Sequence, residues 1–249
     1  MPSRLLIPTI HCALLALLLA APAMAAEGKI LITQAKAEAG GVTPDDTPGF
    51  PVSINRAGSY ILASSLTVSA NKVGIVINVA NVTIDLNGFA VSGSRAPGAH
   101  SGIVGDKANI TIGNGTITNF NHEGINGDHR WIIESMRVTG NDDGIRLGVD
   151  GSVRNSTVTD NGGLGIFCAF RCLVENSNIS GNESYGIRIG SGTVLGNVIM
   201  DNGLEGISSI EINGAGYGNN TLSGNNAGGG GSQVFQAIEL QPNHCKPFC

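Results

Sequence analysis

The chain has 249 residues, with 14 Lys and Arg against 19 Asp and Glu, for a formal net charge of −5 at pH 7. That balance argues against nucleic acid or an anionic membrane surface as the main partner, because phosphate binding needs a basic face. With 37 glycines, 4% aromatic residues and a 41% hydrophobic fraction, the composition excludes a disordered chain and points to a turn-rich, repetitive β architecture.

Residues 1–25 read as an export signal: Arg4, an uncharged apolar stretch from Leu14 to Ala21, then the small-x-small pattern Ala23-Met24-Ala25. The apolar core is shorter than the ~20 residues a bilayer span needs, and no later stretch is apolar enough. The expectation is a secreted or periplasmic protein without a membrane span. Loss of Arg4 leaves 13 basic residues against 19 acidic ones. Residues 26–51 form an N-terminal cap and loop, in which Ile30 to Ala39 carries good helix formers and stops at Gly40-Gly41, predicting a short helical lid with a glycine C-cap.

Residues 52–226 repeat. The dipeptide Gly-Ile occurs at Gly74, Gly102, Gly124, Gly144, Gly165, Gly186 and Gly206, at intervals of 28, 22, 20, 21, 21 and 20 residues. Each opens a short alternating segment such as Gly-Ile-Arg-Leu-Gly, the period-two pattern of a strand with one buried face. Two apolar series share the period: Ile112, Ile133, Val153, Val174 and Leu195, then Ile117, Val138, Val158, Ile179, Met200 and Leu222. Two asparagine series lie between them. One is Asn87, Asn114, Ser135, Asn155, Asn176, Asn197 and Asn220; the other is Asn121, Asn141, Asn161, Asn182, Asn202 and Asn225. Asparagine tolerates left-handed backbone, so both series are read as corners. Three inward strands and three corners in about 21 residues make one coil of an all-β parallel β-helix, right-handed by the bias of β crossovers, with seven or eight coils. The triplets at Asn81, Asn109, Asn114, Asn155, Asn178 and Asn182 match glycan acceptors but arise automatically from such a repeat.

Residues 227–249 are a C-terminal cap and cysteine tail. Gly228 to Gly231 breaks the pattern and Val234 to Leu240 adds a strand, so both ends of the rod are expected to be closed against edge pairing. Cys168, Cys172, Cys245 and Cys249 remain after export, and disulfides are the default in an oxidising compartment. Four cysteines allow three pairings, and the spacing leaves local loops and a coil-to-tail clamp open. No metal or cofactor is expected: His244 beside Cys245 is too little for a site, and Asp45-Asp46 stand alone in a Pro-rich loop.

The Gly-Ile strands and asparagine corners resemble the right-handed parallel β-helix proteins of the pectin-lyase-like superfamily, including NosD-type periplasmic proteins, over about residues 52–226. That resemblance implies the fold; the superfamily holds polysaccharide lyases, hydrolases and epimerases together with proteins of no known catalysis. On each Gly-Ile strand the residue before the glycine and the one after the isoleucine point outward. The first column is Ser101, Glu123, Asp143, Leu164, Tyr185 and Glu205; the second is Val104, Asn126, Arg146, Phe167, Arg188 and Ser208. Rings stack on sugars and arginine forks hold carboxylates, so Asn126, Arg146, Phe167, Tyr185, Arg188 and Glu205 are the candidate substrate-binding residues on a face suited to a polysaccharide.

Asn141-Asp142-Asp143-Gly144-Ile145 looks like the paired-aspartate motif of polygalacturonases, and Gly186-Ile187-Arg188-Ile189 is similar to their Arg-Ile-Lys motif. The expected Gly-His-Gly is Gly163-Leu164-Gly165 here, and the lysine is Gly190. Asp142, Asp143 and Glu123 are therefore the catalytic candidates, Glu123 and Asp143 lying on adjacent coils close enough for one carboxyl to stay protonated. The competing reading makes both solvated surface acids near Arg146, and His122 and His129 polar loop residues. The sequence favours a polysaccharide-binding or structural protein over a polysaccharide-cleaving or epimerising enzyme, and leaves the oligomeric state open.

Overall fold

A computed structural model describes residues 28–249 apart from 96, 99, 247 and 248. The export signal assigned to residues 1–25 lies outside the described residues. The chain is a parallel β-solenoid in which nine short strands, from Val52–Ile54 to Val234–Phe235, stack as one sheet. A seventeen-stranded sheet wraps the remaining two faces. Nine turns rather than seven or eight follow because the first and last strands of the nine-stranded sheet, Val52–Ile54 and Val234–Phe235, lack the Gly-Ile signature. Among the described residues no helix is long and apolar enough to cross a membrane.

Register places every Gly-Ile isoleucine in one inward column, Ile75, Ile103, Ile125, Ile145, Ile166, Ile187 and Ile207, all at most 1% exposed. The other two columns keep their early members but shift late in the rod. Val174 pairs with Val194, and Ile179 pairs with Ile199, so Val194 and Ile199 point inward where Leu195 and Met200 were expected. That coil is one residue shorter, and a one-residue slip turns a side chain to the opposite face. Gly105 and Gly127 leave the room that the buried Trp131 ring fills.

The two asparagine series play three roles rather than one. Asn87, Asn114, Ser135, Asn155 and Asn176 have positive φ and form the corners. Asn197 and Asn220 do not; they sit one position later and extend an interior ladder that starts with Ser156 and Ser177. Asn141, Asn161, Asn182, Asn202 and Asn225 are all buried. Each of the first four donates its side-chain amide to the next residue's Oδ1, at 3.2, 2.8, 2.8 and 2.8 Å, and Asn225 donates to Gln233 Oε1 at 2.7 Å. Asn121 departs from this ladder: the buried Phe120 occupies that place, its N–H donating to Asn141 Oδ1 at 3.1 Å.

At the amino end, strand Ile30–Ile32 precedes a helix confined to Gln34–Ala39, shorter than the lid expected from Ile30. Thr33 Oγ1 caps it by accepting the Lys36 N–H at 3.1 Å, and Gly40 closes it at φ 77°. At the carboxyl end, Val234–Phe235, Ile238–Glu239 and His244–Lys246 pair in parallel onto the preceding coil. This segment adds a further turn to the rod, with the strand expected between Val234 and Leu240 present as Val234–Phe235 and Ile238–Glu239. Both disulfides are local, Cys168–Cys172 and Cys245–Cys249.

Candidate functional site

Both outward columns exist as the strand alternation requires. Parallel pairing brings Val76, Val104, Asn126, Arg146, Phe167, Arg188, Ser208 and Phe235 into one row across the nine-stranded sheet. The Arg146 guanidinium sits 4.3 Å from the centroid of the Phe167 ring, and that of Arg188 sits 5.3 Å from the Tyr185 ring. Each ring face attracts the cation and fixes its plane, so Phe167 and Tyr185 present arginine-covered faces instead of bare ones.

Two other arginines are neutralised: Arg154 meets Glu134 at 2.8 Å and Arg171 meets Asp150 at 2.7 Å. Among the described residues no carboxylate lies within ion-pair distance of Arg146 or Arg188. Two adjoining depressions of about 450 Å³ each run along this face and share Gly105, Asp106 and Asn126. Asn126, Arg146 and Phe167 line them, while Tyr185, Arg188 and Glu205 lie outside, further along the rod.

The acidic column is stacked by its backbone. Gly102 N–H donates to Glu123 O at 3.1 Å, Gly124 to Asp143 O at 2.9 Å, Gly165 to Tyr185 O at 3.0 Å and Gly186 to Glu205 O at 3.1 Å. The side chains then diverge. Glu123 is only 5% exposed; its Oε2 accepts from Ser101 Oγ at 2.9 Å and meets His122 Nδ1. Asp143 is half-buried, and its Oδ1 accepts the Leu164 N–H at 2.7 Å. Gly163 makes this possible, since a side chain there would collide with that oxygen.

Burial pushes the Asp143 carboxyl above the ordinary aspartate range; Asp142 and Glu123 push the same way, against the Leu164 N–H and Arg146. Asp142 is exposed. Glu205 Oε1 accepts from Asn226 Nδ2 at 3.0 Å.

The reading of Glu123 and Asp143 as solvated surface acids is therefore corrected, because neighbouring coils cover both. His122 is likewise more than a loop residue, since its Nδ1 is held by a buried carboxylate. His129 stays at the surface against Asp128, 2.7 Å away. Ser101 is the partner that sequence reasoning passed over, although its place one coil before Glu123 in the same column was a usable signal.

The right-handed β-helix region family matches residues 52–193. The chain belongs to this family. A comparison with curated proteins gives no match. Among solved structures, this β-helix protein is similar to the A-module of mannuronan C-5 epimerase AlgE4 from Azotobacter vinelandii, with 14% identity over 87% of this chain and 94% of that one, at a TM-score of 0.35. A likeness that distant transfers no activity, so the functional reading of this β-helix protein rests on its own face.

Proposed function

We propose that this chain is an exported β-helix protein that binds an acidic polysaccharide along the outward face of its nine-stranded sheet. The observation that carries the reading is the pair of ring-seated arginines, Arg146 and Arg188, with no acid partner among the described residues. Their strands are two coils apart, roughly 10 Å at the usual strand spacing, and stacking orients both guanidiniums before a ligand arrives. Carboxylates of the sugar chain would run along the arginine row, away from the adjoining Asp143 and Glu205, which are left to meet hydroxyls, while Glu123 stays buried against Ser101 and His122. Export is supported by the leader pattern at Arg4 to Ala25 and by four cysteines paired as disulfides.

The test is titration of a polyuronate and a neutral dextran into the wild type and an Arg146→Ala, Arg188→Ala double variant. The expected result is polyuronate binding that weakens with added salt and falls at least ~10-fold in the double variant, from the loss of two charge-assisted contacts. Equal binding by both proteins would falsify the proposal.

A second reading, catalysis on the same bound chain, is favoured by one observation: Asp143 is a half-buried carboxyl with raised proton affinity beside Glu123. A carboxyl that holds its proton can give it to a leaving glycosidic oxygen, and Asp142 and Glu123 are the remaining acids of that cluster. Release of reducing ends or unsaturated products by the wild type, lost in Asp143→Asn with binding kept, would establish it. Binding without product by both would restrict the protein to binding.

A further inference from the structure

The step from Gly74 to Gly102 is 28 residues, where the later steps are 20 to 22. The surplus follows strand Ala90–Ser92 and makes a longer corner there than on any later coil. Both limbs of this corner are fastened to the next coil. Gly93 and Arg95 donate their N–H groups to Thr118 O and Asn119 O, each at 2.9 Å. The Asn121 side chain holds the return limb: its Oδ1 accepts the His100 N–H at 3.3 Å, and its amide donates to Gly98 O. Asn121 clips this corner down instead of joining the buried asparagine ladder, and an insertion held on a rigid scaffold is where binding residues concentrate.

The corner carries Arg95 along the rod to the coil of Phe167. A guanidinium nitrogen of Arg95 ends 3.9 Å from the point that a Cβ on Gly162 would occupy, and Asp142 Oδ1 lies 3.7 Å from the same point. Arg95 is exposed, and among the described residues no carboxylate comes within ion-pair distance of it. Along each coil the chain passes the corner first, then the outward position before the glycine, then the one after the isoleucine. Arg95 therefore stands on the corner side of the acidic column, and Arg146 and Arg188 on its strand side. Arg146 belongs to the coil before that of Phe167 and Arg188 to the coil after it. Three exposed cations thus alternate across the acidic column, one per coil, in the order Arg146, Arg95, Arg188.

We infer that Arg95 is a third carboxylate-binding residue of the polysaccharide site proposed above, on which this inference rests, and that it selects a polyuronate with the shape of a flat ribbon. In such a ribbon each sugar is turned over relative to the last, so successive carboxylates leave from opposite edges. A sugar unit is about as long as the ~4.8 Å between coils. Carboxylates of one edge then recur at every second coil, as Arg146 and Arg188 do, and the carboxylate between them leaves from the other edge, where Arg95 waits over Gly162. The missing side chain at Gly162 leaves the space it enters. Asp142 beside that space repels a carboxylate, and the Arg95 cation offsets the repulsion.

The experiment is calorimetric titration of the purified oxidised protein with polyglucuronate, made by oxidising the primary alcohols of cellulose, and with neutral cello-oligosaccharides. Arg95→Gln is expected to weaken polyglucuronate binding about 10-fold, as for one lost charge-assisted contact, and to leave the response to the neutral sugars unchanged. Gly162→Leu fills the space without touching the charge and should weaken polyglucuronate as well. Gly162 tolerates a side chain, since its nearest neighbours, at 3.7 to 3.9 Å, stand at ordinary contact distance. Asp142→Asn removes the like charge and should tighten binding, a change of sign that a structural role for this corner does not produce. Two results would overturn the inference. One is a wild type that binds no polyglucuronate. The other is binding that needs Arg146 and Arg188 but is the same in Arg95→Gln and Gly162→Leu as in the wild type, which leaves the reading of the arginine row standing.

Discussion

Along the nine-stranded sheet the inward residue is isoleucine at 75, 103, 125, 145, 166, 187 and 207, while the residue after it, on the outward side, is Val76, Val104, Asn126, Arg146, Phe167, Arg188 and Ser208. One side of the same strands is constant and the other changes at nearly every coil. The inward side is constant because each coil packs only on its neighbours, so a side chain of different volume or polarity leaves a cavity or a clash with no third layer to absorb it. The outward side meets water at most coils, Ser208 being buried, and there no such constraint acts, so the residues that break the monotony at Asn126, Arg146, Phe167 and Arg188 are those able to meet a ligand. In a solenoid, repetition carries the fold, and departure from repetition marks the candidate site.

The largest effect should come from putting a charge on the constant side. Ile145, 1% exposed in the middle of the rod, has no partner for a carboxylate, so Ile145→Asp is expected to cost about 4 kcal/mol or more in chemical denaturation, in the range reserved for unpaired buried charges. A variant with wild-type stability would mean that this column does not face the core.

The interior ladder should follow. Asn182 Oδ1 accepts both the Asn161 N–H at 3.2 Å and the Asn161 side-chain amide at 2.8 Å, and its own amide reaches Asn202 at 2.8 Å. Asn182→Ala strands these buried groups, so a loss of about 3 kcal/mol is expected, since each unsatisfied group costs about 1–3 kcal/mol. A loss under about 0.5 kcal/mol, the size of an ordinary surface change, would show that the ladder is ornamental.

The same contrast explains what the sequence makes legible. Seven Gly-Ile dipeptides specify the fold and one whole inward column because their spacing is nearly constant. Leu195 and Met200 are misplaced because a 21-residue step from Val174 and Ile179 overshoots a coil of 20, and adjacent apolar residues such as Val194-Leu195 give no warning. Asparagine is ambiguous for a chemical reason: its amide suits both a left-handed corner, as at Asn176 with φ 49°, and a buried ladder, as at Asn197. The outward columns are readable as rows, but the burial of Glu123 is not, because it depends on Ser101 and His122 closing over it.

On the variable side, Arg188 is exposed and touches only the Tyr185 ring among the interactions described. Arg188→Ala should shift stability by less than ~0.5 kcal/mol while weakening polyuronate binding. Parallel loss of both, read by denaturation and titration on the same sample, would assign Arg188 to the fold and remove it from the site.

The smallest effect, and the one that tests the boundary between the two sides, belongs to Asp143. Burial raises its carboxyl above the ordinary aspartate value, with Asp142 and Glu123 adding to the shift and the Leu164 N–H and Arg146 opposing it. The folded protein therefore keeps this proton in a pH window where the unfolded chain has already lost it. Unfolding in that window releases a proton, so the Asp143 contribution to stability falls as pH rises from the ordinary value through the raised one, and it is fully unfavourable above. In the Asp143→Asn variant the amide would not titrate, yet its Oδ1 can still accept the Leu164 N–H. Between about pH 3 and about pH 7, which brackets a raised aspartate, the Asp143→Asn variant should thus gain stability relative to the wild type. If the wild type gains instead, Arg146 and the Leu164 N–H dominate, the carboxyl is an anion held by its neighbours, and its claim to act as a proton donor is lost.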